Sequence, residues 1–284
     1  MSLKLIYLTL IVVVFVAGCQ QQPAAPVGSV EANPAYLKYF GDPPQVSKGV
    51  GYARVGFFPL LENPQKVRAV PLYLFSENKQ LQQILQRVTG GEMIPFLNGQ
   101  FYHPFSVEDQ FRVNPVKDNV LTLEITSKRE IRRADLAAIA LSLTETALQF
   151  SEVKLVQVLV NGEPLPFMPK AGFSHSPEKI SAVAPPALLV AAGVWEAGSE
   201  DPAELVVNFD RPVAIENIKL TDSSGKKIEG EYFRSVFDMA VVVHPADASL
   251  FHEGTKIHID WDVTDKLGRS NKGSSFLALK RIDH

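Results

Sequence analysis

The stretch VLTLEITSKREIRRADLAAIALSLTETALQFSEVKLVQVLVNGEPL, residues 120–165, decides the fold of the first half of the chain. At its start, Leu121, Leu123 and Ile125 alternate with polar residues. Successive side chains of a strand point to opposite faces of the sheet, so this alternation predicts a strand with one buried face.

A helix and a second strand follow. Asp135 lies near the expected helix start, where a carboxylate is favoured by exposed N–H groups and the positive end of the macrodipole. Residues 153–160 are mostly apolar and β-branched, and Asn161-Gly162 comes next. Asn-Gly is the strongest short hairpin signal, because a type I′ turn needs positive φ at both central residues. The helix is indicated by apolar residues that recur every three or four positions: Leu136, Ile139, Ala140, Leu143, Ala147 and Phe150.

Composition places the chain among ordinary globular proteins. It has 284 residues, of which 46% are hydrophobic and 21% charged, enough for one large or two small domains. The net charge of -3 is too small to indicate nucleic acid as a partner. Cys19 is the single cysteine, which excludes an intrachain disulfide and a cysteine-based zinc site.

The N-terminus predicts export. Lys4 precedes an apolar run over 5–16, which is shorter than the ~20 residues that a membrane-spanning helix needs and fits a signal peptide. The run ends Val16-Ala17-Gly18-Cys19, which resembles a bacterial lipobox. The resemblance implies cleavage before Cys19 and lipidation of that cysteine. The alternative is an ordinary signal peptide or short anchor that happens to contain a cysteine.

A lipidated Cys19 would hold the protein at a membrane surface outside the cytoplasm. Gln20 follows the cysteine, and this resembles the outer-membrane sorting pattern of two-membrane bacteria. We therefore expect the protein at the periplasmic face of the outer membrane in a diderm cell. In a monoderm cell we expect it at the outer face of the cell membrane.

The rest of the chain divides into four parts. Residues 20–66 are rich in proline and poor in periodic apolar residues, which predicts a tether, although the aromatic residues of 49–61 favour docking on the first domain. Residues 67–168 form the expected first domain. Residues 169–186 are a linker with prolines and serines, and 187–284 form the second domain.

Before the opening stretch, the first domain shows three further elements. A strand is predicted over 70–75 and a helix over 78–88, with Gly90-Gly91 ending it. Residues 111–113 lead through Lys117-Asp118-Asn119 into the strand at 120, which predicts a hairpin with Asn119 in the left-handed conformation.

In the second domain, apolar residues do not recur at the three-to-four-residue spacing of a helix. Turn signals separate its apolar segments, as at Asp222-Ser223-Ser224-Gly225 and Asp265-Lys266-Leu267-Gly268. Short strands at this spacing predict an all-β sandwich. The alternating or apolar segments are 205–209, 218–220, 240–243, 257–261 and 276–279.

Two resemblances follow from these motifs. Residues 70–165 resemble the GerMN domain of bacterial sporulation and germination lipoproteins, through VPLYLF, RVNPVKDNVLTLEIT, LAAIALSLTETALQF and VKLVQVLVNGEPL. Residues 204–280 resemble a bacterial Ig-like domain, through LVVNFDRPV, LTDSSGKKIEG and VTDKLGR. Together they imply an α+β GerMN-like domain, with helices packed on a small sheet, followed by an all-β Ig-like sandwich.

The sequence departs from the usual GerMN pattern at three places. Asn119 stands where the pattern usually has Gly, Ile125-Thr126-Ser127 replaces an acidic residue followed by a small polar one, and Gly90-Gly91 replaces Gly-Pro. The family resembles the ring-building modules of sporulation and secretion channels, small αβ folds that pack side by side. The resemblance therefore implies protein–protein contacts, with self-association through the helix surface or the sheet edges.

Catalytic and metal motifs are absent from the sequence. It contains no G-x-S-x-G, P-loop, G-x-G-x-x-G, H-x-H or H-x-x-x-H, so we expect no enzyme activity, no cofactor and no metal. Asp260, Asp262 and Asp265 could offer oxygens to calcium, but their spacing is not an EF-hand loop. Solvent-facing strand positions and a turn explain these three residues better.

The most suggestive charged patch is the basic run over 128–133. Cations are mildly unfavourable at a helix N-terminus. Binding to an acidic partner surface, to peptidoglycan or to an anionic lipid headgroup would explain why cations occur here. The alternative is that they lie in a solvated first turn of the helix. The possible interaction surface therefore comprises Lys128, Arg129, Arg132 and Arg133.

Two functions remain open. The first is a non-enzymatic, lipid-anchored envelope protein that contacts other envelope proteins or itself. The second is a lipoprotein that binds peptidoglycan or another polysaccharide. This second hypothesis depends on aromatic side chains in the least legible part of the first domain: Phe96, Phe101, Tyr102 and Phe105.

Overall fold

The computed structural model of the chain describes residues 28–46, 48–90 and 100–283. The predicted signal peptide, Cys19 and Phe96 lie outside these residues. The elements of the first domain are β1 (Ser29–Ala32), α1 (Pro34–Phe40), β2 (Val50–Pro59), β3 (Val67–Leu74), α2 (Gln80–Gly90), β4 (Gln110–Val113), β5 (Val120–Thr126), α3 (Arg133–Ala147), β6 (Leu155–Val160) and β7 (Glu163–Pro164).

The strand, helix and strand predicted for residues 120–165 are confirmed. β5 and β6 are parallel, with Val120 opposite Leu155, and α3 connects them. Asn161 and Gly162 both have positive φ, 52° and 84°, as a type I′ turn requires. The sheet order is β4-β5-β6-β7.

The hairpin between β4 and β5 is also confirmed. Lys117 and Val120 exchange two backbone hydrogen bonds of 3.0 and 2.8 Å. Asp118 and Asn119, between them, both have left-handed φ, 52° and 61°. Asp and Asn are the residues other than Gly that tolerate this conformation best, because their short polar side chains can bond locally to the backbone.

The tether predicted over 20–66 is wrong for its second part. β1, α1 and β2 lie in that range, and β2 forms the centre of a second sheet of order β1-β2-β3. Pro34 suggested loose chain, but it occupies the first turn of α1, where a missing N–H costs nothing. Asn33 caps that helix, since its side-chain oxygen accepts a bond of 2.9 Å from the Tyr36 amide.

Helix α3 lies between the two sheets. Its apolar face packs on β5 and β6, where Ile139, Leu143 and Ala147 are completely buried. Its opposite face meets β2, which β1 covers only as far as Ala53. Beyond that residue, one edge of β2 has no neighbouring strand in the part of the chain that the structure describes. Three side chains meet this edge, two from α3 and one from the turn that follows it, and we call them the polar stripe: Ser142, Thr146 and Gln149.

The polar stripe takes the place of a neighbouring strand. Ser142 Oγ donates to the Phe57 carbonyl at 2.6 Å, and Thr146 Oγ1 accepts from the Phe57 amide at 3.0 Å. Gln149 accepts from the Val55 amide at 2.9 Å and donates to its carbonyl at 2.6 Å. Four backbone groups on the open edge of β2 are therefore paired by side chains of α3 and of the turn that follows it.

The second domain is an all-β sandwich, as predicted. One sheet has the order β11-β12-β9-β8-β15 and the other has the order β10-β13-β14. β14 and β15 are separated only by buried Leu279, where the chain passes from one sheet to the other. The strands are β8 (Leu188–Trp195), β9 (Glu204–Phe209), β10 (Val213–Thr221), β11 (Gly230–Arg234), β12 (Ala240–Pro245), β13 (Lys256–Asp265), β14 (Ser270–Ala278) and β15 (Lys280–Asp283).

The two domains touch directly. Tyr73 of β3 stacks on Phe237 with ring centroids 4.3 Å apart and an interplanar angle of 11°. At the end of α1, the Tyr39 carbonyl accepts a bond of 2.7 Å from Arg269, and Phe40 lies under the Arg211 guanidinium. The N-terminal segment is therefore a structural part of both the first domain and the junction.

The polar stripe can be tested with two isosteric substitutions on the same helix. Thr146→Val leaves the buried Phe57 amide without an acceptor and is expected to lower the free energy of unfolding by about 1–3 kcal/mol. Thr144→Val is the matched control, because the Thr144 hydroxyl is buried and has no hydrogen-bond partner among the described residues. It is expected to be neutral or slightly stabilising. Urea denaturation measures both, and equal losses would contradict the role of the stripe.

Candidate interaction surfaces

The four cations of the predicted interaction surface have different surroundings. Arg129 donates at 2.9 Å to both the Asp109 carboxylate and the Pro104 carbonyl. Arg132 is bonded to Asp135 through two nitrogens, each at 2.9 Å. The other two, Lys128 and Arg133, are exposed, and the Arg133 guanidinium lies 5.8 Å from the centroid of the Phe167 ring.

Arg132, Asp135 and Tyr102 form a network at the start of α3. The Tyr102 hydroxyl donates to Asp135 at 2.6 Å and accepts from Arg132 at 2.9 Å. Burial alone would raise the pKa of Asp135, but hydrogen bonds from Arg132 and Tyr102 and the nearby arginine charges outweigh it and lower that pKa. The hydrogen bond to Asp135, followed by burial, raises the pKa of Tyr102. Two of the four cations thus have carboxylate partners within the chain, while Lys128 and Arg133 stay candidates for contact with a partner.

The aromatic residues behind the polysaccharide hypothesis are largely packed. Phe101 is 8% exposed and meets Phe58 edge-on at 5.8 Å between ring centroids. Tyr102 belongs to the network just described, and Phe105 is half-buried beside His103. Among the described residues, Phe101, Tyr102 and Phe105 therefore do not form an exposed stacking platform, and Phe96 lies outside the described residues.

The outward side of α3 is occupied by the chain itself. Glu145 is 3% exposed and lies 2.6 Å from His175 Nδ1, while its other oxygen accepts from the Ser176 amide at 2.8 Å. These two contacts hold the linker residues His175 and Ser176 against α3. Every residue of α3 from 142 to 147 is buried, so this part of the helix offers little surface for the self-association through the helix that the resemblance implies.

A groove lies between α1 and α3, above Phe57 of β2. Its volume is about 450 Å³, within the range of small-molecule sites, roughly 300–1,000 Å³. We call it the α1–α3 groove. Its lining residues are Ala35, Lys38, Tyr39, Phe57, Glu145, Leu148, Gln149, Val153, Lys154, Ser174 and His175.

One serine and histidine in the second domain come within bonding distance. His258 Nε2 lies 2.7 Å from Ser274 Oγ, and the nearest carboxylate oxygen, of Asp260, is 3.7 Å from the same nitrogen. A catalytic triad places the carboxylate on the opposite nitrogen, where this histidine instead faces Thr221 at 3.4 Å. The pair lies on the solvent face of β13 and β14 and lacks the geometry of a nucleophilic site.

The aspartates considered for calcium serve the strand and its turn. Asp265 is 5% exposed and accepts from the amides of Leu267 and Arg269, both at 3.0 Å. Asp262 pairs with Lys272 of the next strand at 3.4 Å. Within residues 28–46, 48–90 and 100–283, no group of three or more His, Cys, Asp or Glu residues is placed to hold a metal ion.

Comparison with known proteins assigns the first domain. Residues 56–166 match the family model described as "Germane: Sporulation and spore germination". The first domain is of the GerMN type. β1, α1 and the first part of β2 precede the matched residues.

Solved structures resemble parts of the chain. The first GerMN domain of the sporulation protein GerM from Bacillus subtilis is 23% identical, covers 45% of this chain and 96% of its own, and has a TM-score of 0.35. The tandem GerMN domains of that protein are 19% identical over 63% of this chain and 58% of theirs, with a TM-score of 0.35. PcoC, a methionine-rich copper resistance protein from Escherichia coli, is 16% identical over 34% of this chain and 100% of its own, with a TM-score of 0.25. No curated protein matches the chain significantly.

None of the helices in the described part of the chain is both long and apolar enough to cross a bilayer. The two longest are α3, with 15 residues, and α2, with 11.

The network at the start of α3 makes stability depend on pH. The pKa of Asp135 is lower in the folded protein than in the unfolded chain. Its ionised carboxylate therefore stabilises the fold fully at pH values above the ordinary pKa of a carboxyl group, and this stabilisation is lost as the pH falls through the folded-state pKa. Asp135→Asn is therefore expected to lower the thermal midpoint clearly at pH 7 and much less at pH 3. Thermal unfolding followed by circular dichroism over this range measures the effect. A deficit of the same size at both pH values would show that the charge of Asp135 contributes nothing.

Proposed function

We propose that this protein is a non-enzymatic lipoprotein of the cell envelope that mediates protein–protein assembly. The observation that carries the proposal is the match of residues 56–166 to a sporulation and germination family. The lipobox-like Val16-Ala17-Gly18-Cys19 supports anchoring through Cys19. Two or three acyl chains, at about 0.8 kcal/mol per buried CH₂, hold a protein stably at a membrane. The anchored face is periplasmic at the outer membrane of a diderm cell, or external at the cell membrane of a monoderm cell.

The sheet edges offer the route for assembly. Because α3 is engaged on both sides by its own chain, contacts of the kind expected for this family fall to exposed strands. β14 is the best of these edges: it has nine residues, pairs with β13 without a register shift, and ends its sheet. By contrast, the register of β10, the opposite edge of this sheet, shifts between Ile215 and Asn217.

The hydrogen bonds between β13 and β14 show which backbone N–H and C=O groups of β14 point away from β13. The Leu279 amide donates to the Thr255 carbonyl at 2.9 Å, so odd-numbered residues of β14 bond to β13. Even-numbered residues therefore turn their N–H and C=O away from it, and Phe276 among them is 63% exposed. A long regular edge of this kind can pair with an extended segment of another chain or of a second copy.

Cross-linking in cells tests the proposal. The full tagged chain is expected in the membrane fraction, cross-linked to envelope proteins or to a differently tagged copy. Cys19→Ser is expected to release it from the membrane. Ser274→Pro removes one outward N–H of β14 and is expected to abolish the cross-links. Ser274→Ala keeps that N–H and is expected to retain them.

Two results would contradict the proposal. One is a purified chain from residue 20 that stays monomeric by light scattering up to high concentration, with no envelope protein cross-linked in cells. The other is a Cys19→Ser variant that remains in the membrane fraction as the original does. Cross-links that survive Ser274→Pro would place assembly on a surface other than the β14 edge.

A further inference from the structure

We propose that the α1–α3 groove is a binding site for a small anionic ligand with an apolar body. This site is separate from the β14 edge and does not depend on the function proposed above. Its residues come from four parts of the chain: α1, β2, the end of α3 with the residues that follow it, and the linker.

The groove has an apolar interior. Phe57 and Val153 are nearly completely buried, and Leu148 closes the side formed by α3. Tyr39 meets Phe57 edge-on, with ring centroids 5.6 Å apart. Such a lining binds the hydrocarbon or aromatic part of a ligand and leaves orientation to a few polar groups.

The polar groups in the walls are already paired. Gln149 uses its oxygen for the Val55 amide and for Asn33, and its nitrogen for the carbonyls of Val55 and Thr146. Both oxygens of Glu145 are bonded, one to His175 and the other to the Ser176 amide. The carboxylate is thus held against its partners, and the groove presents no free acidic group among its lining residues.

The charge left unpaired is positive. Lys38 and Lys154 line the groove, and neither ammonium has an ion pair within the described residues. The contact that Lys38 does make is with the Tyr39 ring, 5.1 Å from its centroid. Ser174 and His175, which are also exposed here, add polar atoms beside the lysines. Two lysines beside an apolar floor favour an anion attached to an apolar body.

The end of α3 does not cancel this preference. The C-terminus of a helix carries a partial negative charge on its last carbonyls, which disfavours an anion. Three of those carbonyls are bonded: Thr144 to the Leu148 amide, Thr146 to Gln149, and Ala147 to the Phe150 amide. These three carbonyls already have donors from the chain, while the two lysine ammonium groups carry full charges.

Two fluorescent probes with the same aromatic rings separate the contribution of charge to binding from that of apolar contact. 8-Anilino-1-naphthalenesulfonate has an apolar body and one negative charge, and N-phenyl-1-naphthylamine is its uncharged counterpart. The chain from residue 20 contains every element of the described fold and is used without lipid or detergent. We expect saturable binding of one sulfonate per chain, with an affinity about tenfold above that of the neutral probe.

Matched variants locate the binding. Lys38→Glu with Lys154→Glu is expected to weaken sulfonate binding about tenfold or more and to leave the neutral probe unchanged. Lys66→Glu with Lys117→Glu makes the same change of charge at exposed lysines outside the groove and is expected to have no effect. Ala35→Trp fills the groove and is expected to abolish the binding of both probes. Far-ultraviolet circular dichroism confirms that each variant is folded.

Three results would overturn the proposal. The first is sulfonate binding that does not saturate or that survives Lys38→Glu with Lys154→Glu. The second is equal affinity for the neutral probe, which would make the groove a site without preference for charge. The third is a dimer, seen by light scattering, that the groove variants convert to monomer, which would assign the groove to a second copy of the chain.

Discussion

The structure depends on how the open edge of β2 is satisfied. Backbone N–H and C=O groups that are buried without partners cost free energy comparable to lost hydrogen bonds. In this protein α3 and the turn that follows it supply the partners, because Ser142, Thr146 and Gln149 reach the backbone of Val55 and Phe57. The same helix packs its apolar face on β5 and β6. One helix therefore joins two sheets that share no backbone ladder.

This arrangement makes residues 29–59 part of both the first domain and its junction with the second. Once β2 is fixed against α3, α1 lies beside that helix and bounds the α1–α3 groove, while its last turn contacts Arg269 and Arg211 of the sandwich. Glu145, which directly precedes Thr146 in α3, holds the linker through contacts with His175 and Ser176. The residues of the GerMN-type match are thus flanked by chain that packs on them from both sides of the sequence, which is why the proposed assembly surface is the β14 edge of the second domain.

Much of this fold is predictable from local pattern, and the remainder is not. Alternation and three-to-four spacing predict β5, α3, β6 and the strands of the sandwich, because those residues have one apolar face. Ser142, Thr146 and Gln149 have the composition of a solvent-facing stripe, and only the position of β2 gives them another role. Pro34 suggests loose chain although it opens α1. The partners of the basic run, Asp109 and Tyr102, are 20 and 30 residues away from the arginines that they bind, so no short motif connects them.

Native-state hydrogen exchange of the Val55 and Phe57 amides tests the central claim most directly. These two N–H groups have no strand partner on the α3 side, and their protection depends on Gln149 and Thr146. If the polar stripe completes the sheet, both amides exchange as slowly as the amides of β3 in the core. Exchange at the rate of an unstructured peptide would show that residues 50–59 are a tether, and the account of the fold would be wrong.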